Sequence, residues 1–103
     1  MLNGSEELYR EHLEDLIGKW NGIMGEEQKD HRIEVNTMLP LDKLTDILAT
    51  MIISNVFDRQ GLLEESYAIK RAEKLIDYIQ TRLEILKRIS NIREGIVKTR
   101  NLN

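Results

Sequence analysis

A chain of 103 residues with 41% apolar and 32% charged side chains is sized for one domain with its own core. It has no cysteine, which excludes disulfides, thiolate metal sites and cysteine nucleophiles together. Its longest near-apolar run, Ile47–Phe57, is broken by Thr50, Ser54 and Asn55 and is too short to span a bilayer.

The N-terminus lacks the basic region and apolar run of a signal peptide, so a cytoplasmic location is expected. The net charge of −3 is unevenly spread. Residues 1–30 hold three basic and eight acidic side chains, whereas residues 82–103 hold six basic and two acidic ones. Such polarity can dock the two ends of one chain or orient two chains.

The first helix is expected over about 5–24. Ser5 suits the cap, Glu6 and Glu7 suit the positive end of the helix dipole, and Tyr9, Leu13, Leu16, Ile17, Trp20 and Met24 recur at helical spacing. Gly18, Gly22 and Gly25 lie on the other side of the wheel. Asn21-Gly22 reads as a turn signal at which the helix frays or stops. Residues 25–38 read as a loop, with Ile33 and Val35 alternating with polar residues in a short extended piece that has no second strand to pair with.

Pro40 fits a first helical turn, and a second helix is expected over about 40–59. Leu41, Leu44, Ile47, Leu48, Met51 and Ile52 make its apolar face, and Gly61 suits its C-terminal stop. Asn55 interrupts that face and reads either as a capping or hydrogen-bonded residue inside the bundle or as a register-setting polar residue between chains.

A third, long helix is expected over about 63–98. Ile69, Ala72, Ile76, Ile79, Leu83 and Leu86 form a heptad seam, and then the pattern turns. Ile85, Ile89, Ile92 and Ile96 recur at spacings of four, three and four on a face rotated by more than a quarter circle. Two preceding helices can cover the first seam and leave little for the second. The expectation is an all-α three-helix bundle, or a four-helix one, in a single domain over residues 1–103, with one long coiled-coil-like C-terminal helix.

Candidate chemistry is sparse. His12 and His31 have carboxylate neighbours but no second histidine at helical spacing, which gives no converging metal set. Glu14-Asp15, Glu26-Glu27 and Glu64-Glu65 are adjacent pairs whose side chains diverge on a helix. Ser5, Ser54, Ser66 and Ser90 have no catalytic motif around them, and no phosphate-cradling glycine loop is present. No enzyme activity, cofactor or metal is expected.

Two helices around Gln60-Gly61 can also be drawn as a DNA-reading unit with Lys70, Arg71 and Lys74 on its second helix, although Glu64, Glu65, Glu73 and Asp77 share that helix. Further candidate nucleic-acid contacts are Lys87, Arg93, Lys98 and Arg100. The stretch Glu65–Ile89, with Arg82-Leu83, Leu86 and Ile89, together with Trp20-Asn21, resembles the last helix of the α-helical domain of GINS replication-complex subunits. That resemblance covers about a quarter of the chain and implies an accessory role in replication; the small β domain usual in that family has no room here.

The functional expectation is a non-enzymatic helical interaction or assembly module. It would act as a homo-oligomer or as an adaptor for a larger protein, through Ile85, Ile89, Ile92 and Ile96. The alternative is a small accessory factor of replication or transcription that contacts nucleic acid or a polymerase complex.

Overall fold

The computed structural model describes residues 4–25 and 30–101, with side chains described for 6–25, 30–93 and 95. It is all-helical, with no strand among the described residues. The helices are α1 (Gly4–Met24), α2 (Leu41–Ile52), α3 (Val56–Leu63) and α4 (Ala68–Asn101). No helix among the described residues is long and apolar enough to cross a membrane.

The three longer helices run in the same direction. Along α1 and α4, the Tyr9 hydroxyl donates to Glu73 Oε1 at 2.5 Å, His12 meets Gln80 at 3.3 Å, and Gly22 and Ile23 share a groove with Lys87. Along α2 and α4, Asp46 pairs with Arg71, and Met51 and Ile52 share a cavity wall with Arg82 and Leu86. A parallel arrangement requires the chain to travel back twice. The first return is residues 30–40, which descend beside α1 with no regular structure over most of their length. The second is α3, whose Asp58 lies near Tyr78 and Ile85 and whose Leu63 carbonyl reaches Arg71.

The first return is fastened by side chains standing in for a sheet partner. Trp20 Nε1–H donates to the His31 carbonyl at 2.8 Å. The Asn21 side chain accepts from the Ile33 N–H at 2.7 Å and donates to the Ile33 carbonyl at 2.9 Å. Arg10 donates to the Leu39 carbonyl lower down. An unpaired extended segment therefore survives because its backbone groups find partners on α1. Asn21-Gly22 does not end the helix: α1 continues to Met24, and the stop comes at Gly25, whose φ of 66° a side chain would resist.

The expected helix over 40–59 is two helices. Ile53 leaves the helical region at φ −91° and ψ 103°, and α3 begins at Val56. Asn55 is the cause: its side-chain oxygen accepts from the N–H groups of Phe57 (2.9 Å) and Asp58 (3.1 Å), a helix N-cap. Breaking here keeps Asn55 out of the apolar face and buries Ile53. Gly61 then lies inside α3 rather than at a stop. Pro40 sits on the cap of α2, one position before the first turn.

One core joins all four helices. It is built from Leu13, Leu16, Ile17 and Trp20; from Leu41, Leu44, Leu48 and Ala49; from Ile33, Ile53 and Leu62; and from Ala72, Leu75, Ile76, Ile79 and Leu83. The buried face of α2 is rotated from the expected one. Thr45 and Ala49 are inside while Ile47 and Met51 are exposed, and the Thr45 hydroxyl is satisfied by donating to the Leu41 carbonyl at 2.9 Å. On α4 the expected seam is buried from Ala72 to Leu83, with Ile69 and Leu86 half-buried.

Gly18 and Gly22 are helical, exposed, and open to a Cβ, with nothing within 4 Å of one. Gly18→Ala and Gly22→Ala are each expected to stabilise the protein by roughly 0.5–1 kcal/mol, by removing backbone freedom from the unfolded chain. Thermal unfolding checks this. A lower midpoint in either variant would mean that another surface approaches this side of α1.

Candidate interaction surface

The region of α4 beyond the core carries the exposed apolar residues expected there. Ile85, Ile89 and Ile92 are 43%, 42% and 62% exposed. Every described side chain from Lys87 to Arg93 is exposed, although α4 continues unbroken to Asn101. The helix runs without a break through Ser90-Asn91 and projects past the other helices, in a molecule whose overall dimensions are 62 × 28 × 21 Å. The side chains of Ile96, Lys98 and Arg100 lie outside the described residues.

At 100° per residue, Ile85, Ile89 and Ile92 occupy a stripe about 60° wide on α4. Arg82 and Arg93 border one edge and Arg88 the other, each within about 70° of the midline, while Glu84 points about 110° away. All three arginines are exposed. Toward the bundle the stripe runs into a cleft between α3 and α4, lined by Asp58, Lys74, Asp77, Tyr78, Thr81, Arg82 and Ile85. At this same end of α3, Phe57 is 86% exposed and Val56 is also uncovered. Their exposure was not legible from a 40–59 helix. It follows from the cap, because the first turn of α3 lifts both side chains off the core; Asn55 followed three residues later by Asp58 is the sequence signal for that start.

The basic candidates whose side chains are described do not form one surface. Lys87 faces the groove between α1 and α4, with His12, Leu16, Lys19 and Glu84 among its neighbours, whereas Arg93 borders the isoleucine stripe. Arg71 faces inward. Its side chain is 12% exposed, and its guanidinium donates to the Glu65 carbonyl at 2.8 Å and the Leu63 carbonyl at 3.3 Å, with an ion pair to Asp46. Lys70 lies over the Tyr67 ring, 5.4 Å from its centroid, and Lys74 pairs with Glu65 at 3.3 Å. The DNA-reading arrangement thus loses Arg71 to the turn between α3 and α4.

The titrating groups near these helices are structural in their surroundings. The Tyr67 N–H and the Lys74 ammonium hold the Glu65 carboxyl below the usual carboxylate range, and the hydrogen bond to Glu73 pushes the Tyr9 hydroxyl up. His31 contributes its backbone carbonyl to Trp20, and His12 faces Gln80. Among the described residues no three His, Asp or Glu side chains converge as a metal site would require.

Comparison with known proteins gives no relative to lean on: no family model, no curated protein and no solved structure matches this chain.

Proposed function

We propose that this protein is a non-enzymatic helical interaction module that docks a second helix on the projecting part of α4. One observation supports the reading above all. Three isoleucines at heptad spacing share one face of a continuous helix and stay 42–62% exposed, after the core has been completed by other residues. Each isoleucine side chain gains roughly 1.5–3 kcal/mol on full burial, so a helix laid along the stripe recovers several kcal/mol that the monomer leaves unused. Exposed apolar surface organised in this way marks interaction sites.

The test uses a photo-crosslinking residue in place of Ile89 in cells, with the same residue at Glu64, an exposed position in the α3–α4 turn, as control. An adduct of defined mass at position 89 and none at position 64 is expected. Adding Ile85→Asp and Ile92→Asp should abolish the adduct and leave the helical circular dichroism signal intact. No adduct at position 89 would refute the reading. Unfolding of the aspartate variant would place these isoleucines in the core instead.

A further inference from the structure

The occupant of the stripe can be narrowed by its borders, on the basis of the docking reading above. On α4 Tyr78, Ile85, Ile89 and Ile92 form a second heptad series with Arg82 at one of its positions, the five spaced four, three, four and three. Tyr78 is half-buried, Arg82 occupies a seam position, and Arg88 and Arg93 stand in the flanking positions that choose a partner in helix pairs. None of the three arginines is ion-paired among the described residues; Asp58 and Asp77 line the cleft at the bundle end of the stripe, and no acidic residue lies between Ile85 and Arg93 in the sequence. A guanidinium in or beside a helix–helix seam is satisfied by a carboxylate, which it can grip with two parallel hydrogen bonds.

A second copy fits poorly. Laid along the same stripe in either direction, it sets arginine against arginine. The acidic surface of α1, with Glu7, Glu11, Glu14 and Asp15 exposed, has the right charge but offers Leu8 as its one large exposed apolar residue among those described. A lipid surface fits poorly as well, because a stripe about 60° wide is far narrower than the apolar face of an interfacial helix. The stripe also continues into the concave α3–α4 cleft, which a rod can enter and a flat bilayer cannot.

We infer that the projecting part of α4 binds an amphipathic helix of another protein whose apolar heptad seam is bordered by Asp and Glu. The seam packs on Ile85, Ile89 and Ile92, and the carboxylates meet Arg82, Arg88 and Arg93.

The experiment titrates the full chain with two synthetic helical peptides that share one leucine heptad seam, one flanked by Glu and the other by Lys. The Glu-flanked peptide is expected to bind more tightly by on the order of tenfold, with the difference shrinking as salt is raised. Arg82→Glu with Arg88→Glu and Arg93→Glu should invert the preference, and Arg88→Glu alone should reduce it, which keeps the test open if the triple variant folds poorly. Ile89→Asp with Ile92→Asp should abolish binding of both peptides. Equal binding of both peptides by the wild type, lost in the isoleucine variant, would overturn the acidic partner while sparing the docking reading. Binding of neither peptide, or binding of phosphatidylserine vesicles in preference to the Glu-flanked peptide, would also overturn the inference.

Discussion

Trp20→Ala is expected to lower the free energy of unfolding by about 3–5 kcal/mol, a large part of the roughly 5–15 kcal/mol that holds a domain of this size together. Two losses combine. The indole is 9% exposed within the core, so its removal leaves a cavity. Its N–H also fastens the His31 carbonyl at the top of the returning segment, beside the double bond from Asn21 to Ile33. Trp20→Phe separates the two, since it keeps most of the packing and drops the hydrogen bond; it should cost about 1–2 kcal/mol. Urea unfolding followed by circular dichroism measures both. A cost below 1 kcal/mol for Trp20→Ala would mean that residues 30–40 are not held against α1 in solution.

Arg71→Ala is expected to cost about 2–4 kcal/mol, and Arg71→Lys should restore less than half of it. The guanidinium holds the carbonyls of Leu63 and Glu65 where α3 turns into α4, and ties that turn to α2 through Asp46. Without it those carbonyls lose partners that an ammonium cannot replace as a fork. Asp46 is about half exposed, so the ion pair itself contributes little and most of the loss should persist at high salt. Recovery of full stability by Arg71→Lys would show that only the charge matters.

Much of this fold is legible in the residues. The stripe of α1 and the seam of α4 follow from apolar spacing alone, because each helix buries one face and the periodicity of 3.6 survives in the sequence. The exposure of Ile85, Ile89 and Ile92 is legible for the same reason: a second stripe on one helix needs a second cover, and the helices before it are spent on the first. What hides is long-range. Asn21 reads locally as a turn former, yet its role is set by Ile33, twelve residues away. Arg71 reads as a surface cation on a helix, yet its partners lie on two other segments. Asn55 was open to local recognition, but the apolar residues on both sides mask a cap inside what reads as one helix.

The shared direction of α1, α2 and α4 has an electrostatic consequence. Each helix carries a macrodipole of about half an elementary charge at either end, so three parallel helices gather their positive poles at one end of the molecule, while α1 and α2 place their negative poles together beside the middle of the longer α4. Carboxylates of Glu6, Glu7 and Asp42 stand in first turns at the positive end. At the negative end neither α1 nor α2 has a basic residue in its own last turn. The cations come from α4 instead: Arg82 beside Met51 and Ile52 at the end of α2, and Lys87 beside Gly22 and Ile23 at the end of α1. Glu6, Glu7 and Asp42 at one end and Arg82 and Lys87 at the other thus counter, within one molecule, the fields of α1 and α2. An alternating up-and-down bundle would cancel those fields without any such division of charge.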